Sequence, residues 1–254
     1  MTPLLLIFLF GALFIILERV FPGRGLPQSR GWYLRAVFLN CVQLGVVLLG
    51  GITWSIWLKG PSLFHIDGTL PDIAQGFVCW FVGSFFFYWW HRARHSVNFF
   101  WRVFHQIHHS ASRIETLTSF YKHPLEIAVN SVLSTAVIFV LMGASVGASP
   151  WYSFFAALGE FFYHSNIKTA HWMGYFIQRP EQHSIHHQLD LHDFNYGDIT
   201  CWDRLFGTFR DTDTFAPKCG YHGDREQRFG QMLAFRDVNK AEPKVPDLNY
   251  FMRE

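Results

Sequence analysis

The sequence has little charge and no motif that binds a nucleotide, a haem or an iron–sulfur cluster. Only 16% of its 254 residues are Asp, Glu, Lys or Arg, and the net charge of +2 is too small to indicate a nucleic-acid partner. The four cysteines show no CxxC spacing, and Cys41 and Cys79 lie inside apolar segments. These absences argue against a thiolate-bound zinc or iron–sulfur centre and predict reduced cysteines without a structural role.

Apolar residues make up half of the chain and aromatic residues 19%, a balance that suits a bilayer better than a soluble core. They concentrate in five segments, at about 3–17, 33–58, 73–90, 125–142 and the shorter 151–163. No positive residue precedes the first segment and no small-x-small cleavage pattern follows it, so we expect a spanning helix rather than a signal peptide. We predict an all-α integral membrane bundle of four to five spanning or re-entrant helices.

Lysine and arginine are distributed unequally over the links between these segments. The links 18–32, 91–124 and 164–180 carry almost all of them, whereas Lys59 is alone on the opposite side. Because basic residues near helix ends stay on the cytoplasmic side, we predict an outside amino terminus and cytoplasmic histidines. The expected location is a bacterial inner membrane or the endoplasmic reticulum, with several passes.

The chain divides into three parts in this interpretation. Residues 1–72 are N-terminal spanning helices, and residues 73–210 are a catalytic core with a cytoplasmic helical cap that carries the histidines. Residues 211–254 are a polar cytoplasmic tail, in which Pro217, Pro243 and Pro246 interrupt any helix. We expect this tail to pack loosely on the rest.

Fourteen histidines are the unusual count in this composition, because imidazole is the commonest metal ligand. Eight of them form one HxxxH and two HxxHH groups: His91, His95, His105, His108, His109, His183, His186 and His187. Residues three or four apart share one helix face, so each group directs its rings to a common point. The first group should continue the third apolar helix by one or two turns. Pro180 suits the first turn of a helix that carries the last group.

One such group alone would be weak support for metal binding, because histidine is also at home in a polar membrane interface. Eight packed imidazoles, in contrast, would repel one another when protonated or lack partners when neutral. Eight ligands also exceed what one zinc ion uses, so two metals fit better. Imidazole excludes magnesium and calcium and leaves iron, zinc, copper and nickel open.

The sequence resembles the fatty acid hydroxylase and sterol desaturase superfamily across roughly residues 77–210. The likeness rests on an ordered set of motifs: HRARH, HQIHH and HSIHH for the histidine groups, YKHPLE at 121–126, HSN at 164–166, NYGD at 195–198 and WDRLFGTF at 202–209. Each short motif is modest by itself, whereas the ordered set is highly specific.

The resemblance implies a membrane enzyme with two iron ions that activates O2 and hydroxylates or desaturates a lipid, as a monooxygenase or a desaturase. It adds His164, in HSN, as a ninth metal ligand, and we assign no catalytic residue beyond the ligands. A membrane lipid is the expected substrate. Because no reductase motif is present, electrons should come from a separate partner of the cytochrome b5, ferredoxin or reductase type.

Other polar residues near these motifs stay outside the predicted ligand set. His171 and His192 are candidates for partners that orient a ligand ring, or are ordinary loop residues. We expect His123 to bond backbone or a carboxylate, and His65 and His222 to have no role. The acidic residues Asp190, Asp193, Asp198 and Asp203 are candidates for orienting carboxylates, although capping and turns are commoner uses. Trp202 and Phe206 should pack the cap onto the helices.

Three alternatives to the lipid hydroxylase or desaturase remain. An oxygenase of a carotenoid or an alkyl lipid would use the same chemistry. A membrane zinc hydrolase would need fewer histidines and an HExxH-like frame, which the sequence lacks. A metal transporter would need ionisable or polar residues inside the spans, which contain almost none, with Glu126 and Glu160 near helix ends.

Overall fold

A computed structural model of the chain describes residues 2–240. Eleven α-helices form within this range: α1 Pro3–Val20, α2 Trp32–Ile52, α3 Trp54–Trp57, α4 Asp72–Ser96, α5 Asn98–Phe100, α6 Gln106–Ser110, α7 Pro124–Thr135, α8 Ala148–His164, α9 Pro180–His186, α10 Thr200–Leu205 and α11 Phe229–Leu233. Short π-helical and 3-10 segments join them, and only three isolated bridges pair extended residues there. The predicted all-α class is therefore confirmed.

Four stretches are long and apolar enough to cross a membrane: Pro3–Val20, Trp32–Trp57, Asp72–Ser96 and Pro124–Leu141. In each stretch the apolar side chains can face lipid, and the helix bonds its backbone N–H and C=O groups internally, as a bilayer requires. Proline occupies the first helical position of α1 and of α7, where its missing N–H is not needed. The lower bound of the predicted four to five spans is thus met.

The fifth apolar segment forms α8, which packs against α4 and α1. Its 17 residues reach about 25 Å at 1.5 Å per residue, less than a hydrocarbon core of about 30 Å. Many of its side chains are buried, including Tyr152, Phe161 and Tyr163. The short fifth helix therefore lies among the other helices, and its last residue is His164.

The three predicted histidine groups lie on helical backbone, but the middle one departs from a regular helix. As predicted, α4 continues through His91 and His95 to Ser96. The π-helical turn Trp101–His105 precedes α6, so the second group spans a change of helical pitch. Such turns often occur at functional sites, because the extra residue rotates the side chains that follow. In the third group, Pro180 begins α9 as predicted.

A buried polar network attaches the end of α1 to the loop after the second histidine group. The carboxylate of Glu18 accepts from Thr116 and from the backbone of Asn166, and Arg19 donates to Glu115 at 2.6 Å. Buried polar groups need such partners. These contacts explain why α1 continues to Val20 beyond the apolar run predicted to end at residue 17.

The tail is more tightly packed than the sequence predicted. Ala216, Cys219, Met232 and Val238 are buried in one apolar cluster with residues of α2 and α6. Pro217 lies outside any helix, but apolar side chains on both sides of it reach the core. Loose packing was therefore wrong for residues 211–240, and residues 241–254 lie outside the described part of the chain.

Candidate metal centre

The structure brings all nine predicted ligands together in two adjacent groups. The first histidine group contains His91, His95, His105, His109 and His186, and the second contains His108, His164, His183 and His187. Within each group the candidate ligand nitrogens lie within 4.8 Å of one another. Seven rings are buried, and His91 and His95 are half-buried. The rings thus converge as the spacing predicts, while metal ligation by each of them stays a prediction.

Oxygen atoms behind the first histidine group fix three of its rings. His91 Nδ1 lies 2.7 Å from the carbonyl oxygen of Tyr196, and His186 Nδ1 lies 2.8 Å from that of Phe194. His105 Nδ1 lies 3.1 Å from the Glu126 carboxylate. Because a carbonyl oxygen only accepts, Nδ1 of His91 and of His186 carries the proton and their Nε2 atoms present lone pairs to the centre, whereas Nδ1 of His105 also lies 3.2 Å from the donating Arg94 guanidinium.

The second histidine group has the same arrangement. Nδ1 of His108 lies 3.3 Å from the Tyr121 carbonyl, and Nδ1 of His164 lies 2.9 Å from the Glu160 carbonyl. His183 Nδ1 lies 2.5 Å from the side-chain oxygen of Gln178. Partners of this kind orient metal-binding histidines and raise their basicity.

The inward Nε2 atoms face one another at distances that suit a shared ion. The Nε2 pairs are His105–His91 at 3.0 Å, His164–His108 at 3.3 Å, His183–His164 at 3.0 Å and His187–His183 at 3.1 Å. Two nitrogens bound to one ion at about 2.1 Å with tetrahedral or octahedral angles lie about 3.0–3.4 Å apart. Two lone pairs cannot bond each other, so a cation held between the nitrogens would supply the missing attraction.

Several ring nitrogens of the centre are buried without a hydrogen-bond partner among the described residues. They are His95 Nε2, both nitrogens of His109, His186 Nε2 and His187 Nδ1. A buried polar atom without a partner is costly and rare in a native protein. The donor set therefore fits two ions that prefer imidazole, one in each histidine group.

Burial keeps the imidazoles outside the spans neutral, which is the form that binds a metal. Burial, followed by repulsion from neighbouring imidazoles, holds the pKa of His109, His183 and His187 well below its usual value. Burial also lowers the pKa of His186 to about 3, against a raising effect of its Phe194 hydrogen bond. At neutral pH these rings therefore carry free lone pairs rather than positive charge.

Each histidine group is backed by a cation–carboxylate pair. Arg94 pairs with Glu126 behind His105, and both side chains of the pair are buried. Lys122 pairs with Glu160, whose carboxylate also lies 3.3 Å from His164 Nδ1. These carboxylates place negative charge one step behind the ligands, where it offsets the charge of a bound cation.

A cavity of about 620 Å³ extends from members of both histidine groups into the membrane-spanning helices. Its inner end is lined by His91, His105, His108, His164 and His183. The rest of its lining comes from α1, α2, α7, α8 and the π-helical segment after α7, for example Leu4, Phe8, Val37, Ile138 and Ala157. This volume lies within the roughly 300–1,000 Å³ of ligand pockets.

Polar side chains cluster where the cavity meets the histidines. Lys122, Glu160, Tyr163 and Asp198 line it there, and the Tyr163 hydroxyl donates to Asp198 at 3.0 Å. Burial and the charge of Glu160 raise the pKa of Asp198 to about 7. Asp198 is therefore a cavity residue rather than a partner of a histidine N–H.

The other histidines lie outside the two groups. His192 packs 4.9 Å from the ring of His109, and its Nδ1 lies 3.4 Å from the His186 carbonyl. His171 bonds Asp213 at the surface and His222 bonds Asp190. His123 caps α7 by accepting from the Leu125 N–H, and its Nε2 lies 3.3 Å from the Leu233 carbonyl, in line with the predicted backbone bonding.

Two supporting residues were not identified from the sequence. From the sequence, Glu126 is a member of YKHPLE and a charge near a helix end without a predicted role, and Gln178 belongs to no motif. A carboxylate inside an apolar span is rare and costly, so the position of Glu126 in the sequence could have indicated a functional role. Nothing in the sequence indicates a role for Gln178, because a glutamine in a loop is common. Asp203 accepts from the backbone N–H groups of Tyr196 and Gly197 and so holds the loop whose carbonyl orients His91.

Comparison with known proteins gives a consistent result. Residues 76–208 match the family described as fatty acid hydroxylase. The very-long-chain aldehyde decarbonylase GL1-9 of Oryza sativa subsp. indica is 29% identical over 149 residues, which are 54% of this chain and 56% of that protein. The alkylglycerol monooxygenase of Danio rerio is 31% identical over 172 residues, 66% of this chain and 38% of that protein.

A third relative is the alternative squalene epoxidase of Phaeodactylum tricornutum, 26% identical over 200 residues, 68% of this chain and 52% of that protein. The chain thus spans about half the length of these curated relatives, or less. No solved structure matches it significantly.

Proposed function

Because the chain belongs to the fatty acid hydroxylase family, we propose that it is a di-iron membrane oxygenase that uses O2 to hydroxylate or desaturate a lipid. The observation that carries this proposal is the position of the two histidine groups at the inner end of a largely apolar cavity. Family membership favours oxidation over the zinc hydrolase and the metal transporter.

The nine histidines would hold the two ions, one in each group. Bound iron supplies the oxidising power, drawn from O2, that breaking an unactivated C–H bond requires. The protein contributes the arrangement around it. Glu126 and Gln178 hold His105 and His183 in the orientation that points Nε2 inward. Burial of the rings excludes water from the reacting end of the cavity.

The cavity would take the substrate directly from the bilayer. Leu4, Phe8 and Val37 line it and are also among the exposed apolar residues of α1 and α2. An apolar tail therefore passes from lipid to cavity without crossing water. Lys122, Tyr163 and Asp198 offer polar contacts for an oxygen of the substrate near the reacting carbon.

An alkyl lipid is the second candidate substrate within the same chemistry. The alkylglycerol monooxygenase of Danio rerio is 31% identical over 172 residues, 66% of this chain. An ether oxygen beside the oxidised carbon would lie opposite the polar cluster of the cavity. We retain hydroxylation or desaturation of a fatty acyl or sterol-like lipid as the broader proposal.

Electrons and orientation complete the proposal. A separate donor of the cytochrome b5, ferredoxin or reductase type would reduce the metals, from the side where the histidines lie. The basic links of that side favour a cytoplasmic orientation and an acidic partner. The isolated protein should therefore show no turnover on NADPH alone.

Lipid analysis under isotopically labelled O2 tests the proposal. Cells that express the wild-type chain should accumulate an oxidised lipid. A hydroxylated product carries the label, whereas a desaturated product gains a double bond without it. His108→Ala and His186→Ala should lose both bound iron and product, and His222→Ala should keep both. Normal metal content in the first two variants, or product without iron, would contradict the proposal.

A further inference from the structure

We propose that an apolar patch on residues 165–210, called the cap here, inserts into the bilayer surface on the histidine side, as a membrane contact separate from the spanning helices. The cap patch consists of Trp172, Tyr175, Phe176 and Leu205. They are 62%, 57%, 69% and 68% exposed, respectively. Large apolar side chains that are this exposed and adjacent mark an interaction surface.

Two segments of the cap are joined to form this patch. A backbone bridge pairs Ile177 with Ile199, and it places the 3-10 turn His171–Tyr175 beside α10. The guanidinium of Arg204 lies 5.5 Å from the centre of the Tyr175 ring and donates to the Gly174 carbonyl. The patch is therefore a built surface and not a set of independent loop tips.

The position of α10 beside α4 indicates that the bilayer covers the cap patch. Trp202 donates its indole N–H to Ser84 at 2.8 Å and packs against Phe85 at 5.2 Å. Ser84 precedes His91 by seven residues, about 10 Å along the helix axis. Because α4 is a spanning helix, α10 reaches below the metal level into the lipid region. Interfacial helices bury their apolar face by about 5–10 Å in this way.

The cap patch also continues the lipid-facing surface of α4. Phe206, next to Leu205, packs 4.8 Å from Trp89, and Trp89 and Phe86 are exposed on α4. A soluble partner or a second copy would have to displace lipid from these side chains. Trp and Tyr favour the headgroup level, and the exposed Lys168 and Arg204 can reach phosphate groups there.

A fluorescent probe on the patch tests the proposal with the full chain in vesicles. The exposed Cys41 and Cys201 are first replaced by Ser, and Cys79 and Cys219 stay because they are buried. Phe176→Cys and Leu205→Cys are then made singly and labelled with an environment-sensitive dye. His222→Cys serves as the matched control, since His222 is an exposed residue paired with Asp190.

The vesicles contain phosphatidylcholine and phosphatidylglycerol, with or without lipids that carry a quenching nitroxide near the headgroup. We expect blue-shifted emission and strong lipid quenching at positions 176 and 205, with little quenching by aqueous iodide. The control should show the reverse. Iodide quenching equal to the control would overturn the proposal, and so would shielding from both quenchers, which would indicate a protein partner. Neither outcome bears on the oxidation chemistry.

Discussion

Glu126→Gln tests whether the carboxylates behind the histidines control metal binding. Glu126 is fully buried, pairs with Arg94 and lies 3.1 Å from His105 Nδ1. Glutamine keeps an oxygen that can accept from the His105 N–H, but it removes the negative charge. The first histidine group should therefore bind its metal less tightly, while the second group, which does not contact Glu126, should be spared.

Two effects set the size of the change. Loss of a partner behind a metal ligand typically lowers metal affinity by about 10–100-fold, which equals about 1.4–2.8 kcal/mol. Arg94 is also left buried without its counter-charge, and removal of one partner from such a pair costs up to about 3–5 kcal/mol of stability. A loss of stability is therefore not diagnostic, because breaking any buried ion pair would cause one.

Glu115→Gln supplies the matched control. Glu115 is also fully buried and binds Arg113 at 2.7 Å and Arg19 at 2.6 Å, but its described contacts include none of the nine histidines. Both variants should lose stability. Only Glu126→Gln should lose metal, and the ratio of metal to protein should fall from two towards one in competition with a chelator. Equal metal loss in the two variants would refute a role of Glu126 behind His105.

Three further predictions concern the ligands, the cavity and pH. His187→Ala should deplete the second histidine group of metal and abolish product, as measured by elemental analysis and lipid chromatography. Ala157→Phe should fill part of the cavity and reduce oxidation of long substrates at unchanged metal content; unchanged turnover would place the substrate elsewhere. Burial lowers the pKa of His186 from 6.5 to about 3. As the pH falls, the unfolded chain therefore protonates at His186 before the folded chain does. The metal-depleted protein should lose stability as pH falls from about 6.5 towards 3, and melting curves that rise over this range would contradict it.

The sequence predicts the bundle well because its two strongest signals are local. Long apolar runs define the spans, and spacings of three and four place histidines on one helix face. The extension of α4 through His91 and His95 follows from both signals together. The extent of α1 was less predictable, because Glu18 remains helical only through contacts with Thr116 and Asn166. Contacts between residues about 100 or more positions apart leave no local pattern.

The division of nine histidines into two groups was also beyond the sequence. The first group draws its members from α4, the π-helical turn, α6 and α9, and neighbours such as His186 and His187 fall into different groups. Local spacing predicts that HxxHH directs its rings to one point. In the structure, His108 and His109 also separate, because adjacent helical residues point about 100° apart. Each pair of neighbours therefore bridges the two groups and fixes the distance between them.

This bridging has a consequence for how the two sides of the centre are used. His108 and His183 line the cavity, whereas His109 and His186 do not; His109 packs against His192 and Trp101, and the His186 carbonyl lies 3.4 Å from His192 Nδ1. In the proposed function, the lipid substrate would approach the cavity side of the centre, and His192 and Trp101 cover the other side. Because the proposed lipid tail would fill the cavity side, we expect electrons to arrive through the opposite side. Substrate binding and reduction then need not compete for one opening, and a lipid already in place does not block the donor.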